Sequence, residues 1–258
     1  MHWILQKNLI SPIDLARFEL ALQERNTPYS LVTLIPFFHE LIAEPQVPAG
    51  PVFVYGSTGL CNVARARGWT PGYFDENLDY ELMLTKFGPR TLNAATVCAA
   101  FGDLMRTWDR FFIRPTLDSK SFAGAVMTWE QLETFRDGVA KVSADQDVTL
   151  RLSDRVVMAP LLDIWEEYRF FVVDGEVVTG SRYKAGIQIS TSDSLPSSVA
   201  QFAQECINHW CPNKAFTLDI AVTAKGAKVI ELNSANSAGV YACDVGKFVD
   251  AVNTRLLS

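Results

Sequence analysis

Hydrophobic and polar positions alternate most clearly in the C-terminal third of the chain. Residues 216–222 alternate and are rich in β-forming side chains, and residues 228–232 repeat this pattern after a turn signal at Lys225-Gly226. Together they predict a β-hairpin. Two further β-type runs within residues 166–184 meet at Asp174-Gly175, which predicts a second hairpin.

The first 85 residues predict a small Rossmann-like α/β lobe. Short strands are predicted at 3–6, 29–35 and 51–55, and helical spacing of apolar residues over 14–25 predicts a helix with Ser11 as its cap. A Gly-Ser-Thr-Gly segment, 56–59, follows the third strand. A loop between a strand and a helix can cradle phosphate, although a tight strand-to-helix turn explains the same residues.

The middle of the chain mixes both periodicities. Apolar spacing predicts helices over 91–107, 129–139, 197–210 and 245–256, and strands over 110–115, 148–152 and 155–158, with a turn at 145–147. The Ser/Thr-rich stretch 186–198 is predicted to be a mobile surface loop.

Composition narrows the class of protein. Of 258 residues, 48% are hydrophobic and 20% charged, which is typical of a soluble globular protein. The net charge of −6 argues against a nucleic-acid groove, and no apolar run is long enough to cross a bilayer. Five scattered cysteines support neither a zinc site nor a disulfide framework, so we expect a reducing, cytoplasmic setting.

Three oxygen-bearing side chains of the C-terminal hairpin suggest chemistry. Glu231 and Asn233 are two residues apart and therefore point to the same face of a strand, where Asp219 on the neighbouring strand can join them. Two carboxylates and an amide oxygen suit Mg²⁺ better than zinc. An ordinary hairpin whose acidic residues face water remains the alternative.

The run Leu-Asp-Ile, then Val-Ile-Glu-Leu-Asn, resembles the metal-binding end of the ATP-grasp superfamily. The resemblance implies an α/β fold in which two α+β lobes, here 86–160 and 161–258, sandwich ATP after an N-terminal lobe over 1–85. It implies ATP and Mg²⁺ as cofactors, with Asp219, Glu231 and Asn233 holding the metal.

Other segments resemble that superfamily in the expected order. Arg114 ends a predicted strand where the family usually has a lysine for the ATP phosphates, and Lys120 lies in the loop that follows, which is poor in glycine. The chain leaving residues 155–158 resembles the hinge between the lobes. There the family implies that the backbone of Ala159 and Leu161 contacts adenine and that Asp163 holds the ribose.

The second predicted hairpin is similar to the family's acid-x-Arg segment. Glu167 and Arg169 share a face, and the alternation of the return strand predicts that Arg182 and Lys184 also share one. The resemblance implies that Arg169, and secondly Arg182, stabilise the transferring phosphoryl group, while Glu167 and Lys184 help to bind the nucleotide. A ladder of salt bridges on a solvated sheet is the alternative.

The activity implied by the resemblance is ATP-dependent joining of a carboxylate to an amine through an acylphosphate. The partners would be small-molecule or peptide substrates, with no membrane and no nucleic acid. Two other functions stay open: a non-catalytic ATP-binding regulatory module, which Arg114 and the glycine-poor loop favour, and a phosphotransferase or nucleic-acid ligase, which the acidic balance opposes.

Overall fold

The computed structural model describes residues 1–36, 38, 40–116, 122, 124–142 and 150–257. Within these residues the strands form three sheets, one of four strands, one of five and another of four. Each sheet takes its strands from one of the ranges 1–85, 86–160 and 161–258.

The N-terminal sheet is parallel and has the strand order β2-β1-β3-β4. The elements of this part are β1 (His2–Gln6), α1 (Pro12–Glu24), β2 (Tyr29–Val32), β3 (Val52–Tyr55), α2 (Thr58–Ala66) and β4 (Pro71–Gly72). The predicted cap of α1 is confirmed, because the Ser11 side chain accepts a hydrogen bond from the Asp14 backbone N–H at 3.1 Å.

The second sheet is antiparallel, with the order β5-β8-β6-β7. It follows α3 (Tyr80–Phe87) and consists of β5 (Val97–Ala100), β6 (Arg110–Pro115), β7 (Ala125–Thr128) and β8 (Arg155–Pro160), with α4 (Trp129–Val142) between β7 and β8. The Thr128 hydroxyl accepts from the Gln131 N–H at 3.3 Å, as its predicted role at the start of α4 requires.

The predicted helix over 91–107 is wrong. The chain forms strand β5 there, followed by a short 3-10 turn at Phe101–Asp103. Val97 and Ala99 pack into the core of the second sheet while Cys98 packs on the opposite side, so the local period is two rather than 3.6. Pairing with β8 outweighs the helical preference of the alanines.

The third sheet has the order β11-β10-β9-β12-β13 and contains both predicted hairpins. Its strands are β9 (Glu166–Val173), β10 (Glu176–Ala185), β11 (Gln188–Ser192), β12 (Ala215–Thr223) and β13 (Gly226–Ser234), and its helices are α5 (Ser197–His209) and α6 (Val245–Arg255). Asp174 and Gly175 both have positive φ, 52° and 78°, as a tight hairpin turn requires.

Part of the stretch predicted as a mobile loop, 186–198, is ordered as β11, which pairs antiparallel with β10. That prediction is therefore wrong for Gln188–Ser192. The predicted strand over 148–152 is not found at 150–152; its first two residues, like the predicted turn at 145–147, lie outside the described residues. No helix in the described ranges is long and apolar enough to span a membrane.

The N-terminal sheet and the third sheet share one apolar core. Trp3, Phe18 and Phe53 from the first lobe pack in the same cluster as Phe171 and Phe248 from the C-terminal part. Helix α6 contacts α1, β9 and β10, so it fills the space between the two sheets. The N-terminal lobe is therefore packed directly behind the third sheet.

Asn236, just after β13, ties the two lobes together. Its Nδ2 donates to the carbonyls of Val54 and Gly72 at 2.6 and 3.1 Å, and its Oδ1 accepts from the Phe74 N–H at 2.9 Å. The side chain is fully buried. Three backbone groups of the first lobe therefore depend on one amide.

Replacing Asn236 by Ala should lower the free energy of unfolding by roughly 2–4 kcal/mol, because several buried backbone groups lose their partner. Urea unfolding followed by circular dichroism measures the change. Asn208→Ala, at an exposed position of α5, is the matched control and should cost less than about 0.5 kcal/mol. Equal effects of the two substitutions would contradict the role of Asn236.

Candidate functional site

A cleft of about 800 Å³ lies between the second and third sheets. One wall comes from β6 and β7, the other from β9, β10 and β13, and residues 160–165 form its end. Apolar side chains line the part near this end, and charged side chains line the part near β13. The lining includes Phe112, Arg114, Val126, Leu161, Asp163, Glu167, Lys184, Ile187, Ile230 and Glu231.

The predicted metal ligands lie together on the third sheet. Asp219 on β12 and Glu231 on β13 are directly opposite each other in the antiparallel register. Asn233 follows two residues later, and its Nδ2 donates to Glu231 Oε1 at 3.1 Å. The grouping expected from the sequence is thus present, while the metal-binding role of the three residues stays a prediction.

Asp219 forms a bidentate ion pair with Arg169, its cross-strand partner on β9. Arg169 Nε and Nη2 donate to the two carboxylate oxygens at 2.9 and 2.7 Å. The side chains are only 1% and 10% exposed. Burial acts to lower the pKa of Arg169, but the charge of Asp219 outweighs burial and raises it, so the guanidinium stays charged.

Two tyrosines surround the Arg169 guanidinium. Tyr183 and Tyr241 stack with ring centroids 4.9 Å apart, and the guanidinium carbon lies 5.6 and 5.1 Å from these rings. Arg169 Nη1 also donates to the Gly239 carbonyl at 3.3 Å. Burial and the nearby carboxylates raise the pKa of Tyr183, so its phenol remains protonated. The cation is held rigidly at the edge of the site.

Glu231 is paired across the cleft with Arg114 of β6. Arg114 Nη1 donates to Glu231 Oε2 at 2.5 Å, and the guanidinium lies over the ring of Tyr80 at 4.8 Å. Burial acts to raise the pKa of Glu231, but Arg114 and the Asn233 amide outweigh it and keep that pKa below its usual range. Glu231 is therefore ionised at neutral pH.

Glu167 is held by two residues of β10. The Tyr183 hydroxyl donates to Glu167 Oε2 at 2.6 Å, and Lys184 Nζ donates to Oε1 at 2.7 Å. Adjacent residues reach the same carboxylate because β10 has an irregular register between Arg182 and Lys184. Lys184 thus lies in the cleft, as predicted.

The same bulge makes one prediction wrong: Arg182 and Lys184 do not share a face. Arg182 Nη1 donates instead to Glu166 at 2.6 Å, and Arg182 Nε donates to the Ser190 carbonyl at 3.3 Å, while neither Arg182 nor Glu166 lines the cleft. Strict alternation fails here because one extra residue in a strand reverses the side-chain direction. The catalytic role of Arg182 has no support from its position.

The predicted nucleobase and phosphate residues are distributed unevenly. Leu161 and Asp163 line the cleft, whereas Ala159 is buried and paired with Phe112 inside the second sheet. The described structure shows no backbone–backbone hydrogen bond to residues 161–164, so this backbone is available to a ligand. Lys120 lies outside the described residues.

The Gly-Ser-Thr-Gly segment is used for packing. The Gly56 N–H donates to the Asn236 carbonyl at 2.7 Å, and the Ser57 N–H and hydroxyl both donate to Gln6 Oε1 at 2.8 Å. A Cβ at Gly56 would lie 2.7 Å from Gln6. These contacts favour the tight-turn interpretation over a phosphate cradle.

Magnesium fits the donor set in chemical type. Among the described residues, no three His, Cys, Asp or Glu side chains are grouped so as to hold a metal ion. Mg²⁺ is commonly held by one or two carboxylates plus substrate phosphates, which two carboxylates and an amide at a cleft can supply. Each carboxylate accepts from an arginine, so a cation would replace those donors.

Sequence reasoning missed the aromatic residues of the site. Tyr80, Tyr183 and Tyr241 contact the two arginines but belong to no motif. Tyr241 has a positive φ of 45°, which nothing in the sequence indicates. The irregular spacing of Ser181-Arg-Tyr-Lys184, with three polar residues in succession, was the one available hint of the bulge.

The three sheets, the cleft and the carboxylates at its edge define an ATP-grasp fold. Several solved structures are similar over nearly the whole chain. A RimK-domain ATP-grasp protein from Sphaerobacter thermophilus is 13% identical, with 98% of this chain and 100% of that chain covered and a TM-score of 0.64. D-alanine–D-alanine ligase from Bacillus anthracis in complex with ATP is 12% identical, with 99% and 97% covered and a TM-score of 0.61.

The ATP-grasp ligase PsnB in complex with a minimal precursor is 14% identical, with 98% of each chain covered and a TM-score of 0.59. No curated protein matches the sequence. A family model described as an ATP-grasp domain, the second family of its clade, matches residues 87–251, which is more than half of the chain. The chain therefore belongs to this ATP-grasp family, and the resemblance noted from its motifs is confirmed.

The buried ion pair predicts a large and non-additive loss of stability. Arg169→Met should lower the free energy of unfolding by about 3–5 kcal/mol, because it leaves a buried carboxylate unpaired. The double substitution Arg169→Met and Asp219→Leu should cost less than Arg169→Met alone, and urea unfolding of both variants measures the difference. Arg182→Met, which breaks a more exposed pair, is the control and should cost about 1 kcal/mol or less.

Proposed function

We propose that this protein is an ATP- and Mg²⁺-dependent ligase that joins a carboxylate to an amine and releases ADP and phosphate. The observation that carries the proposal is the grouping of Asp219, Glu231 and Asn233 on one face of the third sheet, with Arg114 and Arg169 in direct contact. Acidic oxygens and cations meet there at the mouth of a cleft whose inner part is apolar.

The nucleotide would lie along this cleft. Its base fits the apolar part between Phe112, Val126, Ile187 and Ile230, with the free backbone of residues 161–164 at its edge. Asp163 would contact the ribose. The phosphates would then point toward β13, where Arg114 and Lys184 supply positive charge.

Glu231, Asn233 and Asp219 would hold Mg²⁺, which when bound neutralises phosphate charge and orients the triphosphate. Arg169 would stabilise the charge that develops on the transferring phosphoryl group, because its guanidinium is always charged and fixed by Asp219 and two tyrosine rings. Phosphoryl transfer of this type depends on positioning and electrostatics. The substrate carboxylate would attack the γ-phosphate, and the amine would then displace phosphate from the acylphosphate.

The substrates are proposed only as a class. The solved neighbours include a ligase in complex with a precursor peptide and a ligase that joins D-alanine to D-alanine. For this chain we propose a small-molecule or peptide carboxylate and an amine, with no membrane and no nucleic acid. Five free cysteines suit the reducing cytoplasm in which we place the protein.

A non-catalytic ATP-binding module is the second candidate. One observation favours it: both carboxylates are already paired with arginines, and one of these, Arg114, occupies the position where the family usually has a lysine. Such a module would bind nucleotide without releasing ADP.

Mg²⁺-dependent nucleotide binding tests the site. In isothermal titration calorimetry, Glu231→Gln and Asn233→Ala should each weaken binding of the ATP analogue AMPPNP by roughly 10-fold or more in Mg²⁺, because each removes one oxygen ligand. In EDTA the variants should resemble the wild type. Glu176→Gln, at an exposed ion pair on β10, is the matched control. Equal Mg²⁺ dependence in wild type and Glu231→Gln would refute the metal assignment.

Turnover separates the ligase from the binding module. ADP release measured over a panel of carboxylates with amines should exceed the rate without substrates. Arg169→Lys should lower that rate by about 100-fold or more, since a lysine cannot reproduce the bidentate guanidinium. Arg182→Lys should stay within about threefold of the wild type. Tight Mg²⁺-dependent binding with no ADP release on any substrate pair would favour the binding module.

A further inference from the structure

Thr217 lies on β12 two residues before Asp219, so the two side chains emerge on the same face of the third sheet. Its register partners are Phe171 on β9 and Asn233 on β13. Phe171 belongs to the apolar core shared with the N-terminal lobe. The polar neighbour of Thr217 across the ladder is therefore Asn233, one of the proposed metal ligands.

The Thr217 hydroxyl is fully buried, and in the described part of the chain it has no hydrogen-bond partner. Leaving a buried hydroxyl unpaired costs stability, so such a group calls for an explanation. Thr179 on β10 of the same sheet provides a contrast. It is also buried, but its hydroxyl accepts from the Asp244 N–H at 2.9 Å.

Asn233 supplies the missing half of the argument. In the structure its Nδ2 donates to Glu231 Oε1 at 3.1 Å, while no hydrogen bond to its Oδ1 is found within the described residues. If Glu231 turns that oxygen toward a cation, the Asn233 N–H loses its acceptor. An acceptor without a partner lies on the adjacent strand, at Thr217.

We propose that Thr217 is a positioning residue for the magnesium site. Its hydroxyl accepts the Asn233 amide N–H when Glu231 engages the cation, which fixes the amide with Oδ1 directed at the metal. A hydroxyl that costs stability in one arrangement thereby stabilises the other. This inference rests on the proposed function, since it requires Asn233 to bind Mg²⁺.

Thr217→Val tests the inference because it keeps the shape of the side chain and removes the hydroxyl. The melting temperature of the protein without ligand should rise by about 2–4 °C, as an unpaired buried polar group is lost. The Mg²⁺-dependent affinity for AMPPNP should fall by about 3- to 10-fold, the value of one hydrogen bond. Thr217→Ser keeps the hydroxyl and should retain the Mg²⁺-dependent affinity.

Two further variants separate positioning from packing. Thr179→Val, the matched control, should lower the melting temperature because the Asp244 N–H loses its acceptor, and it should leave Mg²⁺-dependent affinity unchanged. In an Asn233→Ala background, Thr217→Val should no longer change Mg²⁺-dependent affinity, although the rise in melting temperature should persist.

The outcomes are distinguishable. If the wild type shows no Mg²⁺-dependent nucleotide binding, the proposed function and this inference both fail. If the wild type binds but Thr217→Val leaves the affinity unchanged, or lowers melting temperature and affinity together, the inference alone is overturned. Additive effects of Thr217→Val and Asn233→Ala on affinity would overturn it as well.

Discussion

The bidentate ion pair between Arg169 and Asp219 joins the two central strands of the third sheet, β9 and β12. Removing a carboxylate from water costs several kcal/mol unless its oxygens are matched by well-aligned donors. The planar guanidinium provides two parallel donors and so fixes the relative position of these strands. Because Glu231 is the register partner of Asp219 on the next strand, its position follows from the same constraint.

The N-terminal lobe fixes the other side of the site. Arg17 donates to the carbonyls of Tyr241 and Cys243 at 2.5 Å each, and the Tyr55 hydroxyl donates to the carbonyl of Ala238. These contacts hold the segment after β13, where Tyr241 has positive φ and stacks on Tyr183. A loop that a separate sheet holds in place keeps its geometry without secondary structure of its own, so a lobe distant from the carboxylates still shapes their surroundings.

Features set by local chemistry could be predicted from the sequence. The turn at Asp174-Gly175 and the spacing of Glu231 and Asn233 each depend on neighbouring residues, and the structure has both. Strand β5 and the bulge before Lys184 depend on partners far along the chain. Cys98 pairs with Val157, and the bulge matches β10 to β9 and β11. Periodicity within one segment cannot reveal pairing that another segment imposes.

The two arginine–carboxylate pairs differ in what they join. Arg169 and Asp219 belong to the same sheet and are nearly inaccessible, whereas Arg114 and Glu231 come from opposite walls of the cleft and are 22% and 25% exposed. Under the proposed function, a cation that engages Glu231 replaces the Arg114 guanidinium, which then needs new negative charge. Phosphate oxygens in the cleft supply that charge. Metal and triphosphate would therefore favour each other's binding, since each compensates a charge that the other leaves unpaired.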